Sequence, residues 1–138
     1  MLSTIIVDDE PLYCETLSLL IKKHCPEVQV AACCNSGTEA LACIQQLKPA
    51  LVFLDIKLPG MDGFELLEQL SPFQFDVIVI SGYDDYAVKA FQYNVVDYLM
   101  KPVDTMQLLG AVHKVHLRLE ERIHEQIAQL IQKVDRLN

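Results

Sequence analysis

The sequence predicts a doubly wound α/β domain, a parallel sheet with helices on both faces. Five short apolar runs recur along the chain without polar alternation, as strands covered on both faces do. Between them lie segments with apolar residues at helical spacing, and such strand–helix alternation gives a parallel sheet with crossover helices. The 138 residues, 51% hydrophobic and 22% charged, suit one domain with a sizeable core plus a short appendage.

Thr4-Ile5-Ile6-Val7 is the first buried strand, ending at Asp8-Asp9. Pro11 fits the first helical position, where its missing N–H costs nothing. That helix runs through Leu12, Leu17, Leu20 and Ile21 and stops before Pro26. Val28 to Cys33 is the second strand. Ser36 with Glu39 three residues on is a capping-box signature. It opens a helix with Ala40, Leu41, Ile44 and Leu47 on its apolar face, closed by Pro49. Leu51-Val52-Phe53-Leu54 is the central strand, and it runs straight into Asp55. Pro59, Gly60 and Gly63 break the following backbone into a loop. Asp62 and Glu65 form a second cap-like pair, for a helix over Phe64, Leu67 and Leu70. Val77 to Ile80 is the fourth strand, ending at Ser81-Gly82. Asp84-Asp85 begin a helix predicted to turn Ala87, Val88 and Phe91 inward. Val95 to Met100 is the last strand, running into Lys101-Pro102, and Asp104 caps a final helix with Gln107 at its third position.

That final helix is too long for the domain. Its packing stripe (Met106, Leu109, Val112, Val115) should be exhausted near Leu119, yet the chain continues to Asn138 without Gly or Pro. Ile123, Ile127, Leu130, Val134 and Leu137 fall at heptad a and d positions, about two heptads in all. The expected organisation is a globular domain over 1–120 and a helical extension over 121–138. The extension reads as a dimerising helix or as a linker helix cut from a longer protein, and the two are compatible.

The net charge of -8 and pI near 4.8 argue against this segment gripping nucleic acid, which needs clustered Lys and Arg. No apolar stretch is long enough to span a bilayer and no signal-type start is present, so a cytoplasmic location is expected. Cys14, Cys25, Cys33, Cys34 and Cys43 lack C-x-x-C spacing and read as reduced, partly buried hydrophobes. His113 and His116 are three apart on a helix, but with no acidic or cysteine cluster nearby they read as a solvated face.

In doubly wound sheets ligands bind beyond the carboxyl ends of the strands, where strand order reverses. Four strands end there in polar residues: Asp8-Asp9, Asp55, Ser81 and Lys101. Singly, each has a plain structural explanation, as a helix cap, a turn residue or a solvated lysine. Together, at corresponding strand ends, they point to chemistry. Three crowded carboxylates call for a cation, and oxygen-only ligands suit Mg²⁺, which shares its shell with phosphate oxygens. A serine hydroxyl and a lysine charge are what a phosphoryl group needs from its surroundings. The implied reaction is phosphoryl transfer onto a carboxylate, with Asp55 as nucleophile.

These motifs are Val7-Asp8-Asp9-Glu10-Pro11, Leu54 to Gly63, Ile80-Ser81-Gly82 and Tyr98-Leu99-Met100-Lys101-Pro102. Through them the chain resembles the receiver domain of bacterial two-component response regulators. The stretch Gly82 to Phe91, followed by Val96-Asp97-Tyr98-Leu99, resembles the LytR/AlgR branch, which usually carries a DNA-binding domain after the receiver. The resemblance implies a flavodoxin-like (βα)5 fold with strand order 2-1-3-4-5. It implies phosphorylation of Asp55 by a partner histidine kinase. Mg²⁺ would be held by Asp9, Asp55 and the backbone carbonyl of Lys57, with Asp8 acting through water. Ser81 and Lys101 would each hold a phosphoryl oxygen, the Lys101–Pro102 bond would be cis, and Tyr98 would be the switch aromatic that follows Ser81. Serine stands at 81 where threonine is commoner, and Lys57 and Tyr83 flank the site with bulk.

The implied function is a conformational switch rather than a turnover enzyme, driving a downstream output in transcription. The implied partners are the kinase and a second copy of the chain, through the last two helices and last strand, the extension, or both; no membrane is involved. A stand-alone phosphate shuttle or scaffold is the alternative, and the extended helix argues against it. A Mg²⁺-dependent phosphohydrolase would need a second carboxylate two residues past the nucleophile, where Lys57 stands.

Overall fold

The computed structural model describes residues 1–137. Strands β1 (Leu2–Val7), β2 (Val28–Cys34), β3 (Leu51–Leu54), β4 (Asp76–Ser81) and β5 (Asp97–Met100) alternate with helices α1 (Pro11–His24), α2 (Gly37–Leu47), α3 (Gly63–Leu70), α4 (Ala87–Gln92) and α5 (Thr105–Leu137). The sheet is parallel in the order β2-β1-β3-β4-β5, as the sequence predicts. The chain leaves β1 toward β2 on one side and returns to β3 on the other, so strand order reverses between β1 and β3.

Burial explains why the strand runs are solidly apolar: every residue of β3 and β4 is buried. α1 and α5 cover one face through Cys14, Leu17, Ile21, Leu108, Val112 and Val115. α2, α3 and α4 cover the other through Ala40, Ile44, Phe64, Leu66, Leu67 and Ala90. A register shift in β2, from Thr4 opposite Val30 to Ile5 opposite Ala32, changes which face its side chains meet. Val28 and Val30 pack toward α1, whereas Ala32 and Cys34 pack toward α2.

The cap-like pairs form as predicted. The Glu39 N–H donates to Ser36 Oγ at 3.1 Å, and the Glu65 N–H donates to Asp62 Oδ1 at 2.9 Å. Several packing expectations are corrected. α4 is only six residues long and buries Ala90 alone, leaving Val88 77% and Phe91 51% exposed. The space they were expected to fill is taken by Tyr86 and Tyr93 at the helix ends, both within 6.1 Å of the Phe64 ring by centroid distance. The last strand begins at Asp97 rather than Val95, which is buried in the preceding turn. Leu12 and Met106 are exposed because each lies in the first turn of its helix, off the inward stripe. Leu47, in the last turn of α2, is exposed as well.

The domain's hold on α5 also reaches beyond Leu119. Asp76, buried at the amino end of β4, accepts from Arg118 Nε at 3.1 Å and from an Arg122 guanidinium nitrogen at 2.6 Å. Ile123, Ile127, Leu130, Val134 and Leu137 follow as an exposed stripe. Asn138 lies outside the described residues.

Candidate functional site

Register alone brings the acidic residues together. Val7 pairs with Leu54, so the next residues, Asp8 and Asp55, emerge side by side where strand order reverses, and the Asp55 N–H bonds the Val7 carbonyl at 2.9 Å. Ser81 pairs with Met100 and accepts at its carbonyl from the Lys101 N–H at 2.8 Å, which sets Lys101 at the same rim. The Lys101 Nζ then reaches across to Asp8 Oδ2 at 2.8 Å and Asp55 Oδ2 at 2.9 Å, with Glu10 Oε1 farther off at 3.9 Å. Lys101 is cis to Pro102, as the family resemblance implies.

Asp8 and Asp55 are buried, Asp9 and Glu10 exposed. Burial raises the Asp55 carboxyl above its ordinary range, against the pull of the Lys101 hydrogen bond and charge. Burial would also discharge Lys101, but hydrogen bonds to Asp55 and Asp8 outweigh it and hold the ammonium charged well above its usual range. The remaining Asp55 oxygen, Oδ1, accepts from the Lys57 N–H at 3.2 Å. Asp8 Oδ1 accepts from the Glu10 N–H at 2.9 Å.

Asp8, Asp9 and Glu10 bring carboxylate oxygens within 4.8 Å of one another. Hard oxygen donors of this kind, two of them exposed, fit a small divalent cation that keeps much of its water. Glu10 is a member that sequence reading missed, since it stands outside the four strand-end positions. Asp55, on the neighbouring strand, stands outside that carboxylate group and borders the cleft of about 470 Å³ with Asp9, Glu10, Lys57, Gly82, Tyr83 and Lys101.

The loop after Asp55 is shaped by two glycines. Gly60 adopts φ +76°, a left-handed conformation that costs glycine nothing. Gly63 folds back so that its N–H bonds the Ile56 carbonyl at 2.8 Å, and a Cβ there would lie 2.8 Å from Ile56 Cα and 3.0 Å from the Asp55 carbonyl oxygen.

Ser81 is fully buried, and its Oγ accepts from the Tyr83 N–H at 3.1 Å. Tyr98 is half-buried, and its hydroxyl donates to the Tyr83 carbonyl; burial raises its phenol above the ordinary value. Ser81 and Tyr98 are thus linked through one residue, Tyr83. The Tyr83 ring also lies 4.4 Å beneath the Lys57 ammonium, whose nitrogen donates to the Tyr83 hydroxyl at 3.3 Å. No single stretch of sequence signals this linkage, because it joins the ends of β3, β4 and β5.

Cys14 touches the rim through its Sγ, which donates to the Asp8 carbonyl at 3.5 Å. His116 faces Glu27 at 3.2 Å and His113 is exposed, consistent with a solvated helix face. Burial pushes the Cys14 and Cys34 thiols up to about 12, which leaves them inert as nucleophiles at neutral pH. No helix among the described residues is long and apolar enough to cross a membrane.

Comparison with known proteins gives one consistent result. The family model for the response regulator receiver domain matches residues 4–113. A response regulatory protein of Vibrio cholerae is 40% identical over 116 residues, covering 83% of this chain and 48% of its own length. The transcriptional regulatory protein BtsR of Escherichia coli K12 is 33% identical over 132 residues, covering 95% of this chain and 53% of its own. The chain therefore spans about half the length of these relatives. Among solved structures, the receiver domain of AraT from Geobacillus stearothermophilus superposes with a TM-score of 0.79 at 33% identity, covering 88% of this chain and 97% of that one. The response regulatory domain of mrkE from Klebsiella pneumoniae also gives 0.79, at 30% identity and 86% and 98% coverage.

Proposed function

Because the chain belongs to the response regulator receiver domain family, and so is the receiver of a two-component response regulator, we propose that Asp55 is its phosphoacceptor and a histidine kinase its donor. The observation that carries this reading is the Lys101 ammonium, 2.8 and 2.9 Å from the Asp8 and Asp55 carboxylates, at the rim where the strand carrying the buried Ser81 ends. An Asp55 carboxylate oxygen attacks phosphorus, the P–N bond to the donor imidazole breaks, and the imidazole leaves with the electron pair and takes up a proton. Asp9, Asp55 and the Lys57 carbonyl would hold Mg²⁺, with Asp8 acting through water. When bound, the ion neutralises charge on the phosphoryl oxygens. Lys101 and Ser81 bind those oxygens after transfer. Ser81 moves toward the phosphoryl group to donate its O–H, and because its Oγ accepts from the Tyr83 N–H while the Tyr83 carbonyl accepts from the Tyr98 hydroxyl, that movement reaches Tyr98. The outcome is a shift between two conformers and not turnover of a substrate.

The finer assignment is to a LytR/AlgR-like regulator with a DNA-binding output beyond residue 138. Support comes from the Gly82–Phe91 and Val96–Leu99 stretches and from relatives of twice the length, one named a transcriptional regulator. Residues 1–120 form the receiver, and 121–138 are a dimerisation or linker helix. A second copy of the chain pairs through the α4–β5–α5 face, where Val88, Phe91, Met100 and Met106 are exposed, and through the α5 stripe.

Acetyl phosphate with Mg²⁺ should add one phosphoryl group, read by intact mass, and Asp55→Asn should abolish it. Modification of Asp55→Asn at full stoichiometry would overturn the assignment.

A further inference from the structure

Tyr13 stands in the first turn of α1, its N–H bonded to the Glu10 carbonyl at 3.0 Å. Its ring lies 4.3 Å from the Lys101 ammonium, and its hydroxyl accepts from the Val103 N–H at 3.3 Å. One side chain therefore holds both the head of Lys101 and the backbone two residues beyond it. Nothing in the packing of α1 demands a tyrosine here: the helix buries Cys14, Leu17 and Ile21, and Tyr13 only borders that cluster. The hydroxyl serves the Val103 N–H across the cis Lys101–Pro102 turn, and the ring face serves the charge.

Lys101 has a long flexible stem, and its charged head is strongly hydrated, so freezing it costs side-chain entropy. Two carboxylates hold it in the observed geometry, but a lysine that reads a phosphoryl group must change partners without escaping to water. A ring face constrains the position of the charge by electrostatic attraction alone, with little demand on the direction of any one N–H, so the contact can persist while the hydrogen-bond acceptors exchange. Resting on the assignment of Asp55 and Lys101 above, we propose that Tyr13 is the positioning residue of the phosphoryl site, keeping Lys101 aimed at Asp55 while its hydrogen-bond partners exchange.

The test uses the full chain and beryllofluoride, a phosphoryl mimic, titrated calorimetrically at saturating Mg²⁺, with Mg²⁺ titrated alone in parallel. Tyr13→Leu should weaken beryllofluoride binding by about five- to tenfold, the scale of a partly desolvated cation–π contact, and leave Mg²⁺ binding within about twofold. Tyr13→Phe keeps the ring and should stay within about twofold of wild type. In a Lys101→Ala background Tyr13→Leu should add less than about twofold, since its effect runs through the lysine. Should Tyr13→Leu not fold, Tyr13→Met carries the same comparisons. Equal losses for beryllofluoride and Mg²⁺, a Phe variant as weak as Leu, or full additivity with Lys101→Ala would each reduce Tyr13 to a packing residue. Beryllofluoride binding by Asp55→Asn at wild-type affinity would instead overturn the phosphoacceptor assignment, and this proposal with it.

Discussion

Gly63 lies where the loop after Asp55 closes on itself, and it allows no side chain. An alanine Cβ would meet the Ile56 Cα at 2.8 Å and the Asp55 carbonyl oxygen at 3.0 Å, both backbone atoms that cannot yield as a side-chain tip would. Gly63→Ala should therefore destabilise the chain by about 1–3 kcal/mol, the range for overpacking, and slow phosphorylation by shifting Asp55. Urea unfolding and acetyl phosphate kinetics read the two effects, and wild-type values in both would refute the close approach. Asp8, Asp9, Asp55, Ser81 and Lys101 were legible in the sequence because a parallel sheet puts every strand's carboxyl end on one rim. Tyr13, Glu10 and the bridging role of Tyr83 were not. Tyr13 meets Val103 across 90 residues of chain and Lys101 from nearly as far, and nothing local marks such a contact.

The strands and helices themselves were legible because buried parallel strands are continuously apolar and α2 and α3 carry caps. α4 defeated the periodicity argument because it is too short to impose a stripe, and aromatic rings at its ends do the packing instead. On α5 the buried residues end at Val115, and the pairing of Arg118 and Arg122 with Asp76 beyond them is ionic, which an apolar stripe does not signal. Asp76 has a side chain only 4% exposed, whereas Arg118 and Arg122 are 39% and 41% exposed. Removing the arginines strands a buried carboxylate, whereas removing Asp76 frees two cations that reach water. Arg118→Ala with Arg122→Ala should cost about 2–3 kcal/mol after discounting for exposure, and Asp76→Ala only about 1–2 kcal/mol. Chemical unfolding checks the order, and the reverse order would contradict this account. Farther along, the exposed stripe should support a dimer that strengthens on phosphorylation. Ile127→Asp with Leu130→Asp should abolish it in sedimentation, and monomers in every state would leave the stripe as linker alone.

At the scale of the whole molecule, charge and mechanics remain. The net charge is -8, and Asp8, Asp9 and Glu10 concentrate part of it at one rim. A divalent cation bound there should relieve repulsion in the folded state only. Mg²⁺ at ten times its Kd should add about 1.4 kcal/mol, seen as a higher melting temperature than in EDTA and lost in Asp9→Ala. Equal melting temperatures would argue against the cluster as a cation site. The mechanics follow from the clasp on α5. Among the described residues Arg122 is the last of α5 to form an ion pair with the sheet, and the helix continues to Leu137, an arm of about 22 Å at 1.5 Å per residue. Such an arm is a lever whose fulcrum is Asp76. A tilt of about 5° at the fulcrum sweeps the far end through about 2 Å, so a change too small to disturb the packing of α5 on the sheet becomes a displacement that another domain can read.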